Sequence, residues 1–167
     1  MDGDVAESAR IEGGILVGHD GSESAQHALR WAAELARRAD MDLPVMRAWS
    51  MTSAPRPASW APGYVPPMED WAAAVLEELN KQVTAAHLDP AVRVSCHVVH
   101  RSPAKGLIET AERADLLGVG ARGRGGFGGL LLGSVSDQCV HHAPCPVTVI
   151  RTGTGTSLVK GATTRPA

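Results

Sequence analysis

The sequence has little cysteine, almost no net charge and no long apolar run, and each absence excludes a class of protein. Three cysteines in 167 residues are too few, and too oddly counted, for a disulfide framework, so we expect reduced thiols. The 16 Lys and Arg residues stand against 18 Asp and Glu residues, so the composition gives no support for nucleic-acid binding. Because no run approaches membrane-spanning length and the amino terminus is acidic, we expect no membrane association and a cytoplasmic protein.

The commonest phosphate-binding motif is also missing. No Gly-Lys-Ser or Gly-Lys-Thr occurs anywhere in the chain, which excludes an ordinary P-loop. A G-x-G-x-x-G pattern is present at 118–123, but more glycines follow it where a dinucleotide-binding fold needs a helix. Only 44 residues remain after Gly123, too few for the rest of that fold, so we do not favour this interpretation.

The chain does contain an alternation of short apolar runs and amphipathic segments. The apolar runs predict strands at 15–18, 43–49, 92–99, 116–120 and 147–150. Three- and four-residue periodicity and helix-start signals predict helices at 25–39, 71–86, from 102 onwards and at 134–142. Strands that are apolar throughout and alternate with helices indicate an α/β fold, a parallel sheet with helices on both faces.

Three stretches show neither the apolar runs that predict strands nor the three- and four-residue spacing that predicts helices. Residues 1–12 carry five charges and predict a disordered lead-in. Residues 50–67 hold five of the 11 prolines and predict a long irregular connection of the kind that often forms a lid. The Gly- and Thr-rich tail at 152–167 is predicted to be disordered, so the sequence predicts a single domain at 13–151.

A glycine-rich stretch at 120–134 follows the fourth predicted strand and precedes the last helix. Glycine lets several backbone N–H groups turn toward one point, and a helix start adds the positive end of its dipole. This favours a phosphate-binding site, with a mobile surface loop as the alternative. Ligands of open α/β sheets bind where the winding direction reverses, so we predict that the first and fourth strands are neighbours and that Asp20 lies beside this stretch.

The spacing of the glycines gives a more specific indication. The motif G-x2-G-x9-G-[ST] is present as Gly120, Gly123, Gly133 and Ser134. Together with the segment at 17–22 and the ending at 143–151, it resembles the universal stress protein family in its ATP-binding branch. The resemblance covers about residues 13–151 and implies a single-domain, Rossmann-like, five-stranded parallel sheet with strand order 3-2-1-4-5.

The resemblance also implies a ligand and residues that bind it. The ligand would be ATP or another adenine nucleotide, with Mg²⁺ possible at the phosphates. Asp20 would recognise the adenine or ribose end, although a turn former or helix cap is the alternative role for this residue. The other expected binding residues are the Ala48 backbone near the base, Gly120 and Gly123 near the ribose and phosphates, and Gly133, Ser134, Val135 and Ser136 on the phosphates. The charge of Arg122 could neutralise a phosphate, with a solvent-exposed position as the alternative.

Two positions depart from the family pattern. Arg101-Ser102-Pro103 stands where members usually carry a glycine, which implies either a differently shaped turn or an Arg101 side chain that reaches the ligand. His19 is bulkier than the small apolar residue expected beside Asp20. Three tryptophans, Trp49, Trp60 and Trp71, are candidates to cover the base, with ordinary packing as the simpler interpretation.

The predicted function is adenine-nucleotide binding by a regulatory homodimer in stress response or signalling, with a protein partner that the sequence does not identify. The resemblance implies a dimer formed through antiparallel pairing of the last strands at 147–150. We predict no catalytic residue and no metal-binding residue, since His141, His142 and Cys145 lack a fourth ligand at zinc-type spacing. The alternatives are an ATP-independent interaction or chaperone-like module, and a slow ATPase.

Overall fold

The computed structural model describes residue 6 and residues 8–123 and 132–152. Strands and helices alternate along the chain as the sequence predicts, with a short 3-10 helix at Ala111–Arg113. The strands are β1 (Ile15–Gly18), β2 (Leu43–Trp49), β3 (Val94–His100), β4 (Leu116–Gly120) and β5 (Val147–Ile150). The α-helices are α1 (Glu23–Ala39), α2 (Met68–Ala85), α3 (Pro103–Thr110) and α4 (Ser134–His142).

The five strands form one parallel sheet in the order β3-β2-β1-β4-β5. β1 pairs directly with β4, with Ile15 opposite Leu116 and Leu16 opposite Leu117, which confirms the predicted neighbours and the α/β fold class. The chain winds outward from β1 to β3 and then crosses back to β4 on the other side of β1. The winding direction therefore reverses between β1 and β4, and their carboxyl ends border the same crevice.

The alternating side chains of β1 divide the core between the two faces of the sheet. Ile15 and Val17 pack against Leu29 of α1 and Leu79 of α2. On the opposite face, Leu16 and other strand residues pack against Leu107 of α3 and Cys139 of α4. Because both faces are covered, the residues of the central strands β1 and β2 are mostly apolar on both sides, with Arg47 of β2 as a buried exception.

The start of α1 is determined by a capping hydroxyl. Ser22 has extended backbone angles, φ −76° and ψ 160°, and its side chain accepts a hydrogen bond from the N–H of Ala25. This satisfies one of the N–H groups that a helix start leaves unpaired. The helix ends at Asp40, which adopts the left-handed conformation with φ 53°.

The folded core includes residues that precede the expected domain boundary at residue 13. Ile11 is only 5% exposed, and the carbonyl oxygen of Ala6 accepts a hydrogen bond from the N–H of His100. Burying an isoleucine side chain stabilises the folded state by about 1.5 to 3 kcal/mol. This explains why the charged segment before β1 packs against the core at Ile11. Ile11 therefore packs against the domain that the sequence predicts at 13–151. Residues 1–5 and 7, glycine-rich residues 124–131 and most of the predicted tail, 153–167, lie outside the described part of the chain.

Among the described residues, no helix has both the length and the apolar character needed to cross a membrane.

Candidate functional site

A cavity of about 390 Å³ opens at the carboxyl ends of β1 and β4. It is bordered by the ends of β1, β2 and β4 and by the first turns of α1, α3 and α4. All nine binding residues expected from the sequence line this one cavity, namely Asp20, Ala48, Gly120, Arg122, Gly123, Gly133, Ser134, Val135 and Ser136. The structure therefore brings together residues that are more than a hundred positions apart in the chain.

Asp20 both forms a turn and borders the cavity. Its Oδ1 accepts a hydrogen bond from the N–H of Ser22 at 2.9 Å, which is the turn-forming role. Its Oδ2 lies against Gly123, since a Cβ on Gly123 would stand 2.8 Å from that oxygen. The two roles considered for Asp20 are thus compatible, with one oxygen for the turn and the other beside the loop that follows β4.

Gly120 allows α1 to approach β4. A Cβ on Gly120 would lie 2.8 Å from the carbonyl carbon of Ser24. The Ser24 hydroxyl accepts a weak hydrogen bond, 3.3 Å long, from the N–H of Arg122. Gly120 can therefore meet a ligand through its backbone, but the absence of its side chain first serves the packing of helix against strand.

The start of α4 differs in one detail from the expectation. The N–H of Gly133 donates to the carbonyl oxygen of Ala121 at 2.7 Å, so this group is not available to a phosphate as the resemblance implied. Gly133 is the N-cap of α4 and provides no side-chain hydrogen bond to it. The N–H groups available for an anion are therefore those of the first helical turn, beginning at Ser134.

Ser136 also has a structural role. Its hydroxyl is buried and lies 2.9 Å from the carbonyl oxygen of Gly133 and 3.2 Å from that of Ala121. A single hydroxyl hydrogen is donated to these carbonyls, so the side chain ties the start of α4 to the end of β4. The expected contribution of Ser136 to a ligand is thereby limited to its backbone.

The cavity also has apolar walls that sequence reasoning missed. Its lining includes eight residues that were not expected, namely Gly18, His19, Ala25, Met46, Pro103, Leu107, Val119 and Leu132. Met46 is held from behind by Thr110, whose hydroxyl donates to the Met46 sulfur at 3.2 Å. Leu107 fits only because Gly18 has no side chain, since a Cβ there would lie 2.8 Å from a Leu107 methyl carbon. Because side chains alternate between the two faces of a strand, the expected Ala48 could have indicated Met46 two residues earlier on β2. No sequence motif indicates Leu107.

His19 is buried at the edge of the cavity, where its ring is held on both sides. The N–H of Gly21 donates to its Nδ1 at 3.1 Å, and its Nε2 lies 2.8 Å from the Oε1 of Gln26. Gln26 in turn donates from its Nε2 to the carbonyl oxygen of Gln82 on α2. The bulk of His19 is therefore accommodated by a hydrogen-bonded network that joins β1, α1 and α2.

Other candidates for ligand contact lie elsewhere. Arg101 does not line the cavity, and its Nε is 3.3 Å from the Glu109 carboxylate. Trp49 and Trp71 are buried together in a separate cluster. Trp60 is 38% exposed, with the Arg56 guanidinium carbon 4.4 Å from its ring centroid. None of the three tryptophans borders the cavity, so packing is the interpretation that the structure supports.

The charge distribution suits an elongated ligand with one anionic end. The first turns of three helices contribute Ala25, Pro103 and Ser134 to the lining, and a helix start carries partial positive charge. Arg122 adds a cation, whereas Asp20 is the one carboxylate among the described residues that line the cavity. In the described part of the chain, no group of three or more His, Cys, Asp or Glu residues could hold a metal ion.

A family model described as the universal stress protein family matches residues 14–151. The chain belongs to this family. A universal stress protein of Mycobacterium tuberculosis is 36% identical over 143 residues, which cover 82% of this chain and 44% of that relative. The chain thus spans about half the length of the curated relatives it matches.

Solved universal stress proteins have the same fold. UspA from Lactobacillus plantarum is 22% identical with a TM-score of 0.65, and the match covers 86% of this chain and all of that one. A universal stress protein solved in complex with cAMP is 26% identical with a TM-score of 0.57, and the match again covers 86% of this chain and all of that one.

Proposed function

We propose that this universal stress protein binds an adenine nucleotide, ATP or one of its relatives, in the cavity between β1 and β4. The observation that carries the proposal is the convergence of the nine expected binding residues, from distant parts of the chain, on one cavity. The cavity has a carboxylate acceptor on one side and a helix start without a side-chain cap on another. The cAMP bound by one solved relative supports the same class of ligand.

The apolar walls suit the faces of a purine. Met46, Leu107 and Val119 present hydrocarbon and sulfur surface, which favours a flat, weakly polar ring. Ala48 lies two residues from Met46 on the same face of β2 and also lines the cavity, and its backbone would meet the polar edge of the base. Asp20, as an acceptor, suits the ribose hydroxyls or an amino group.

The phosphates would lie at the start of α4. The first turn of α4 lines the cavity and Ser134 is exposed, so the N–H groups of this turn and the Ser134 hydroxyl suit a charged oxygen. Arg122 would neutralise part of the phosphate charge. A Mg²⁺ ion would be held mainly by phosphate oxygens and water, since this ion usually keeps most of its water.

The proposed role is regulatory binding rather than catalysis. A dedicated hydrolase needs a placed base or a water-positioning group. His19 is engaged in the turn that follows β1, and Asp20, which accepts from Ser22 in the same turn, is the residue that we assign to the ribose or the base. We therefore propose slow hydrolysis at most, and a bound state that a protein partner in the cytoplasm recognises during a stress response.

The regulatory unit that we propose is a homodimer formed through β5. This strand ends the sheet and all four of its residues are half-buried. A sheet edge with apolar residues is prone to pair with another strand. Antiparallel pairing of two copies of β5 would cover the edge and give the dimer a continuous sheet.

Titration calorimetry with ATP, ADP, AMP and cAMP tests the nucleotide proposal. We expect at least one of the four to bind in a one-to-one ratio, and to bind less tightly to Ser134→Ala. The Ser134→Ala variant loses a hydrogen bond to a charged phosphate, so its binding free energy should weaken by about 1.5 to 3 kcal/mol. Ser95→Ala, which removes an exposed hydroxyl outside the cavity, is the control and should bind as the wild type does. Absence of binding by all four in a folded protein would instead support the ATP-independent interaction module.

A further inference from the structure

The hydrogen bonds around His19 form a chain in which the backbone groups at the two ends fix every donor and acceptor role. The donor at one end is the backbone N–H of Gly21, and the acceptor at the other end is the backbone carbonyl of Gln82. Neither of these backbone groups can exchange its role. His19 must therefore accept at Nδ1 and donate from Nε2 to Gln26, which in turn must accept at Oε1 and donate from Nε2.

This arrangement assigns one role to each ring nitrogen. A ring that accepts at Nδ1 and carries a hydrogen on Nε2 satisfies both neighbours, since Gly21 and Gln26 lie 3.1 and 2.8 Å away. The ring is only 4% exposed, so water is not a ready substitute for either partner. Losing the ring would leave the amide oxygen of the half-buried Gln26 and a turn N–H without these hydrogen bonds.

The turn that His19 supports is the one that carries Asp20. Two successive backbone N–H groups in this turn are held by side chains, that of Gly21 by His19 and that of Ser22 by Asp20 Oδ1. The second bond leaves Asp20 Oδ2 beside Gly123 in the cavity. The orientation of the Asp20 carboxylate thus depends on a turn that His19 closes from the other side.

We propose that His19, supported by Gln26, is a positioning residue that holds the Asp20 carboxylate toward the ligand. The role in binding rests on the proposed adenine-nucleotide function, whereas the role in the turn is a property of the protein without ligand. His19 acts through Asp20 and through the network to α2, and it takes no part in a chemical step.

Three substitutions separate the two hydrogen bonds of the ring. In His19→Asn, the short amide can accept from the N–H two residues further on, as in an Asx turn, but it does not reach Gln26. In His19→Gln, the longer amide can reach Gln26 but does not close the turn. His19→Leu removes both bonds. The exposed His27, paired with Glu23 on α1, provides His27→Leu as the matched control.

The turn is measured first, by amide hydrogen exchange in the ligand-free protein. We expect exchange at Ser22 to become about tenfold faster in His19→Leu and His19→Gln, and to stay within about threefold of the wild-type rate in His19→Asn and His27→Leu. If His19→Leu does not fold, the contrast between the Asn and Gln variants decides. An unchanged Ser22 rate in both the Gln and Leu variants overturns the proposal.

Binding of AMP is measured next by calorimetry. We expect the Kd to rise about tenfold in His19→Leu and His19→Gln, a size that the loss of one positioning hydrogen bond can produce, and we expect Asn to restore most of the affinity. Equal affinity of all variants would overturn the binding role. If the wild type binds no adenine nucleotide but Ser22 responds as described, the proposed function fails while the positioning of Asp20 stands.

Discussion

The backbone of Ser24 lies so close to Gly120 that a Cβ on Gly120 would stand 2.8 Å from the Ser24 carbonyl carbon. The obstacle is backbone at the start of α1, which cannot turn aside as a flexible side chain can. Gly120→Ala should therefore push α1 away from β4 and lower the free energy of unfolding by about 1 to 3 kcal/mol. Urea denaturation measures the loss.

Gly118, two residues earlier on β4, is the control for this substitution. A Cβ there would meet its nearest atom, a methyl carbon of Val17, at 3.7 Å, which is ordinary contact. Gly118→Ala should leave the urea midpoint almost unchanged. Equal effects of the two substitutions would contradict the close approach at Gly120.

Gly123→Ala should affect binding without affecting the fold. The added Cβ would come within 2.8 Å of Asp20 Oδ2, which is a side-chain atom and not backbone, so the carboxylate would shift and the strand would not. We expect the urea midpoint to stay within error while the affinity for AMP falls about threefold to tenfold, because the displaced carboxylate no longer faces the ligand. Unchanged affinity in calorimetry would place Asp20 outside the ligand's reach.

Arg47 is a buried cation that depends on α2. Its side chain is 3% exposed, and its Nη1 lies 2.8 Å from Oε2 of Glu78. Removing the carboxylate in Glu78→Ala leaves a buried guanidinium without this anion, which costs about 3 kcal/mol or somewhat more. The measurement is again the free energy of unfolding in urea.

The adjacent Glu77 provides a matched control on the same helix. It pairs with Lys81 across one helical turn, and both side chains are mostly exposed. Because water and salt screen such pairs, Glu77→Ala should leave stability unchanged within error. Similar losses in the Glu77 and Glu78 variants would refute the special role of the buried pair.

Cys139 should make the protein less stable at alkaline pH. Burial, and secondarily the nearby Cys145, raises the pKa of Cys139 from 9.0 to about 11. The folded state then keeps a proton that the unfolded state releases, so the stabilisation is complete below pH 9 and is lost as the pH rises toward 11. The expected slope is at most about 1.4 kcal/mol per pH unit.

The test compares the wild type with Cys139→Ala in urea at several pH values between about 8 and 10.5, a range set by the titration of a thiol. The variant lacks this thiol, so its stability should decline less steeply than that of the wild type. Parallel pH profiles would mean that Cys139 ionises equally in the folded and unfolded states.

The proposed dimer can be tested at Val149. The carbonyls of Pro146 and Ile150 accept hydrogen bonds from β4, and backbone groups alternate in direction along a strand. The N–H of Val149 therefore faces away from β4. Val149→Pro should remove an outward donor and prevent pairing of two β5 strands, giving a monomer in sedimentation analysis. Val149→Thr, which keeps the N–H, should stay dimeric, and a dimer in both variants would require another interface.

Much of the fold was predictable because its signals are local. The periodicity of α1 and the apolar run of β4 each lie within a few neighbouring residues, and the structure has both elements close to their predicted positions. The neighbouring positions of β1 and β4 followed from the general rule for ligand sites in open sheets. Ile11 was missed because one apolar residue among charges has no periodicity, and its burial depends on a surface that α3 and the sheet create.

The order of the elements, the family and the residues that meet where the winding direction reverses could be predicted, because spacing and chain direction carry that information. How each site residue is engaged depends on the folded chain. The structure shows that the N–H of Gly133 is already donated to Ala121, and that His19 is connected through Gln26 to α2. These outcomes depend on distances of a few ångströms between residues far apart in the chain, which no local pattern specifies.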